Sequence, residues 1–165
     1  MKISRIIILS LLALLCSCSG KSVDADKALA DLSERFQFSL DSIYDTYKPR
    51  AEATVVEDSL LAVIGDLSQE CAGYMMIYKA QLFQVAMDVH GYDVNNFSTL
   101  APEKQNEVGT WLEQSWPTFQ ETFKRIGKRC VKLYVVNAMR INGTDSTEQF
   151  TPDVLEVLED ESIQY

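Results

Sequence analysis

Apolar residues recur at steps of three and four along most of this chain, the spacing of helices with one buried face rather than of strands. Leu29, Leu32, Phe36, Leu40, Ile43 and Tyr47 draw one such stripe, with Asp24 or Asp26 placed to cap its start and Pro49 placed to end it. A second stripe is longer. Leu60, Ile64, Leu67, Cys71, Tyr74, Tyr78, Leu82 (or Gln81 beside it), Val85 and Val89 keep the rhythm from Glu57 to His90, and Gly91 supplies a stop. As one helix this segment reaches ~50 Å. Gly65 and Gly73 weaken it by ~1 kcal/mol each relative to alanine, and a bend is expected near either.

Residues 92–101 read as a loop. Pro102 and Glu103 suit the first turn of a third helix, running to about Trp116 with Val108, Trp111, Leu112 and Ser115 on one side. Pro117 predicts a break or kink, and Thr118 with Glu121 forms a capping box for a fourth helix. Its stripe runs Phe119, Phe123, Ile126, Cys130, Leu133 and Asn137 to Ile141, and Asn142-Gly143 ends it. Thr151-Pro152-Asp153 opens a short last helix through Leu155 and Leu158. Residues 131–136 are rich in β-branched side chains, yet they continue the helical stripe and lack turns at strand spacing. The expected fold is all-α: an up-and-down helical bundle of about four main helices plus a short C-terminal helix.

The first residues stand outside that pattern. Lys2 and Arg5 precede an apolar run, Ile6 through Leu15, broken only by Ser10. That is the layout of a secretory signal, too short to span a bilayer comfortably. The run ends in Leu15-Cys16-Ser17-Cys18-Ser19-Gly20, which resembles the lipobox of bacterial lipoproteins: Leu15 lies three places before Cys18, and the small Ser17 just before it. The resemblance implies that Cys18 becomes the mature N-terminus and the lipidation site, with a thioether-linked diacylglycerol and usually a third acyl chain. Cys16 is the other conceivable acceptor and fits less well, because Leu15 rather than a small residue precedes it. Two or three chains hold a protein on a membrane far more firmly than one. Ser19 stands where some bacteria place an aspartate to retain lipoproteins in the inner membrane, which leans towards the outer membrane. The resemblance covers residues 1–18 alone. The chain then divides into a signal (1–17), a lipidated N-terminus with a short tether (18–26), and one helical domain (27–165).

Loss of residues 1–17 from the 165 leaves 148 and moves the net charge from −9 to −11, since Lys2 and Arg5 depart. A chain of this length buries roughly 70% of its unfolded surface and needs no metal or disulfide to fold. Its acidity disfavours nucleic acid as a partner.

Few residues invite chemistry. Cys71 and Cys130 lie on the apolar stripes of the second and fourth helices, where they are either a disulfide or two buried thiols. A disulfide would close a 59-residue loop; Cys-x-x-Cys spacing is missing, which argues against redox activity. His90, the single histidine, sits at a helix end near Asp88 and Asp93. These fall short of metal-ligand spacing, and no nucleophile with its base can be assembled around them. No cofactor and no metal are expected.

Lys124, Arg125, Lys128, Arg129 and Lys132 are the one concentrated run of positive charge. They are either a solvated face balanced by acids of neighbouring helices or a docking surface for an acidic partner. Trp111, Trp116, Phe119 and Phe123 cluster around Pro117, and Trp111 at the edge of its stripe is the first candidate for an exposed ligand contact. The expectation is a non-enzymatic lipoprotein that serves as a binding or assembly module in the cell envelope. It is tethered to the membrane through the lipid on Cys18 and works through an envelope protein partner. The alternative from another class is an envelope hydrolase or thiol-redox protein using His90 and Asp88 or Cys71 and Cys130.

Overall fold

The computed structural model describes residues 23–147 and 150–163. The signal, both of its cysteines and the first part of the tether lie outside the described residues. Three long helices carry the fold: α1 (Ala25–Ala53), α2 (Glu57–Val89) and α3 (Pro102–Asn142), followed by the short α4 (Pro152–Glu159). A 3₁₀ segment, Val94–Thr99, lies between α2 and α3. Among the described residues there is no strand.

Each helix begins and ends for a local reason. Asp24 caps α1, its carboxylate accepting the Lys27 backbone N–H at 3.1 Å. Gly91 ends α2 at φ +70°, with Tyr92 N–H reaching back to the Met87 carbonyl (2.9 Å) and Gly91 N–H to that of Asp88 (3.1 Å). Gly143 ends α3 the same way at φ +62°, with Thr144 N–H on the Met139 carbonyl at 3.1 Å. Both are Schellman closures, which need a residue tolerant of the left-handed region. Pro102 takes the first position of α3, where its missing N–H costs nothing.

Two prolines do not act as the sequence predicts. Pro49 and Pro117 sit inside continuous helices, so the expected third and fourth helices are one helix of 41 residues, about 60 Å long. Thr118 does not cap a new helix, since its carbonyl accepts the Thr122 hydroxyl (3.2 Å) within α3. Both prolines are exposed, so the missing backbone bond falls on the wet side of each helix. The stripe continues past Pro117: Ser115 before it, then Phe119 and Ile126 after it, are all buried. An interior proline costs about 3 kcal/mol, comparable to what burying one phenylalanine contributes.

The packing is up-and-down. Ser39 meets Tyr78 (3.0 Å) and, eight residues further along α1, Tyr47 meets Glu70 (2.8 Å) eight residues earlier on α2, so these two helices are antiparallel. α3 runs parallel to α1, from Phe119 against Phe36 (5.5 Å between ring centroids) to Arg140 against Thr54 (2.7 Å). The main core lies among the three, with Phe36, Tyr44, Tyr78, Leu67, Phe119 and Leu133 fully buried. A second, smaller core joins the end of α2 to the start of α3, where Ala86, Met87 and Val108 are covered by residues of the 3₁₀ segment. Phe97 of that segment stands edge-on to Phe83 (5.1 Å).

The turn between α1 and α2 is clamped onto the far end of α3. Arg140 donates to the Thr54 carbonyl, and its guanidinium is braced by Asn137 Oδ1 (3.1 and 3.2 Å). Glu57 accepts from the Tyr134 hydroxyl (2.9 Å) and from Asn142 (3.1 Å), and these two bonds hold its carboxyl below the usual range.

Candidate functional site

The basic run on α3 is divided between two neighbours. Arg125 and Arg129 turn towards α1. Arg129 donates to Asp41 at 2.6 Å and comes within 3.9 Å of Asp45, while its guanidinium carbon stands 3.8 Å from the centroid of the Tyr44 ring. Arg125 approaches Asp41 only to 3.9 Å. Lys128 and Lys132 turn the other way, towards the segment after α4. Lys128 Nζ donates to Asp160 Oδ2 (3.1 Å), and Lys132 Nζ to the Ile163 carbonyl (3.0 Å) and more distantly to that of Asp160 (3.4 Å). Lys124 pairs with Glu121 one turn earlier on its own helix (2.7 Å), both well exposed.

The two sides differ in character. The Arg129 side is packed: its side chain is 17% exposed, and the flat guanidinium donates to a carboxylate while one face lies on a ring. The Lys128 side is open. Beside it lies a cavity of about 400 Å³ lined by Glu121, Thr122, Lys124, Arg125, Asp160 and Ser162. Ser162 and Lys128 hydrogen-bond Asp160 and hold its carboxyl below the usual range. Chemically the face offers positive charge and donors to an anionic group.

The aromatic cluster is mostly core. Trp111 is half-buried at the junction of the two cores and packs against both. Trp116, stacked on Phe119 (6.4 Å), instead lines a shallow, largely apolar cavity of about 250 Å³ with Lys79, Leu82, Leu112 and Glu113. Lys79 Nζ stands 5.5 Å from the Trp116 ring centroid.

Cys71 and Cys130 belong to the same core cluster and are present as free, buried thiols. Burial pushes the Cys71 thiol up to about 12 and the Cys130 thiol up to about 11, far from the range of a nucleophilic cysteine. At the end of α2, His90 stacks on Tyr92 (6.0 Å between centroids). Asp88 accepts from Gln84 (2.8 Å), and Asp93 is spent capping the 3₁₀ segment through Asn95 (2.9 Å). His90, Asp88 and Asp93 therefore engage different neighbours. Among the described residues no three histidine, cysteine or carboxylate groups converge as metal ligands. No helix among them is long and apolar enough to cross a membrane.

Two contributors escaped the sequence reading. Tyr44 lies one position off the α1 stripe yet is fully buried under Arg129. Asp160 lies beyond the last apolar stripe, and only the return of the chain after α4 brings it to Lys128. Comparison with protein-family models, curated proteins and solved structures finds no match for this chain.

Proposed function

We propose that this chain is a bacterial lipoprotein, anchored in the cell envelope by acyl chains on Cys18, whose helical body is a non-enzymatic binding or assembly module. The observation that carries the reading is the signal and lipobox pattern of residues 1–18. Support comes from the layout beyond it: α1 starts at Ala25, so only a short polar tether separates the lipid from the bundle. The body thus works close to a membrane surface, the outer membrane favoured by Ser19. Its one concentrated cationic face is the surface most suited to an envelope protein partner.

The test is fractionation and capture from a native envelope. Tagged full-length protein sediments with membranes and brings a stoichiometric protein partner through washing. The Cys18→Ala variant loses the membrane. A parent chain that washes off with buffer, or one that carries no partner and turns over an envelope substrate, overturns the reading.

A further inference from the structure

We propose that the face of α3 around Lys128 and Lys132 is a docking site for an acidic segment of a partner protein, occupied in the resting chain by its own residues 160–163. The proposal rests on the binding-module reading above and names the chemistry of the partner.

The C-terminal segment shows what this face accepts. It supplies one carboxylate to Lys128, two main-chain carbonyls to Lys132, and one aliphatic side chain, Ile163, which is 5% exposed. Ser162 folds the segment into a turn by donating its backbone N–H (3.1 Å) and its hydroxyl (2.5 Å) to Asp160 Oδ1. The recognised unit is therefore a carboxylate followed three residues later by an aliphatic anchor. Main-chain carbonyls and a seated side chain are features of a peptide and not of a lipid headgroup.

The hold is weak enough to exchange. No residue of α4 is buried, so Ile163 is the one buried apolar anchor described beyond α3. The Lys128–Asp160 pair is partly exposed on both sides, at 43% and 26%, and such pairs contribute little. The 400 Å³ cavity is walled by the segment's Asp160, Ser162 and Ile163 on one side and by Lys124 and Arg125 of α3 on the other, so displacing the segment opens it to a longer ligand. The chain carries a net charge of −9, which works against an acidic partner over most of its surface, and the run on α3 is its one concentrated stretch of positive charge. Being tethered, the segment competes at an effective concentration on the order of millimolar, so it masks the face against weak partners.

The probe is a fluorescent peptide of residues 152–163, titrated by anisotropy into the full chain and into its Asp160→Ala/Ile163→Ala variant. Releasing the tail should tighten probe binding at least tenfold, and adding Lys128→Glu and Lys132→Glu to that variant should abolish it. A chain ending at Glu159 gives the same reading if the double substitution lowers helicity. Equal affinity for parent and released chains overturns the proposal, as does binding that survives charge reversal. So does binding of the released chain to phosphatidylglycerol vesicles with no binding of peptide, or a parent dimer that exchanges tails between copies. Any of these leaves membrane attachment and partner capture untouched, so failure here is distinct from failure of the lipoprotein reading.

Discussion

Arg129 of α3 donates to Asp41 of α1 across 2.6 Å, joining positions 88 apart in the chain. The bond locks the parallel pair of helices in register, and Tyr44 beneath the guanidinium keeps water from one of its faces. Arg129 Nε is buried with no hydrogen-bond partner among the described residues, which limits the net gain. Replacing Arg129 with alanine should cost about 1–2 kcal/mol in urea unfolding, from lost stacking and the loss of the shorter of Asp41's two cationic contacts, Arg125 remaining at 3.9 Å. Lys124→Ala, at an exposed pair, should change stability by less than about 0.5 kcal/mol. Equal costs at the two positions would show that the stacked geometry contributes nothing.

Pro117→Ala should stabilise the bundle by about 1–3 kcal/mol, because alanine restores a backbone donor inside a helix that is already continuous. Thermal unfolding reads the sign directly. A lower melting temperature would mean that the proline sets a bend on which the packing of Phe119 against Phe36 depends.

These prolines mark the limit of what was legible beforehand. The stripes named the core well: Leu32, Phe36, Leu40, Leu60, Leu67, Tyr78, Ile126 and Leu133 are all buried. Periodicity encodes which face of a helix is covered, and that survives any arrangement of the helices. It does not encode whether a proline is overruled, because that depends on how much apolar surface lies on both sides of it. The same limit applied to the cationic run. Spacing placed five charges on one face, but only the tertiary arrangement assigns Arg129 to Asp41 and Lys128 to Asp160. The partners come from α1 and from the C-terminal segment, at separations no local pattern reports.

The pH dependence has two arms. Burial raises the Cys71 and Cys130 thiols, and it is the leading cause of the raised Tyr74 and Tyr134 hydroxyls, so the folded state favours their neutral forms. The thiols' contribution is fully present below their ordinary value near 8.5–9 and is lost as pH rises towards 11–12, while that of the hydroxyls is present below the ordinary tyrosine value near 10 and is lost above it. Asp160 and Glu57 are lowered, so theirs is present above the ordinary carboxylate range near 4 and is lost as pH falls through the folded values. Urea midpoints should therefore form a plateau at neutral pH and fall on both sides. In the native state Cys71 and Cys130 should react with a thiol reagent at least a hundredfold more slowly than in urea. Fast native labelling would contradict the buried-thiol arrangement.

The most direct test of the whole account is the intact mass of the mature protein extracted from its own membranes. The account predicts a chain beginning at Cys18 that carries diacylglycerol and, where the host adds it, a further N-acyl chain. A mass matching an unacylated polypeptide, from protein that buffer alone removes from the membrane, would contradict it.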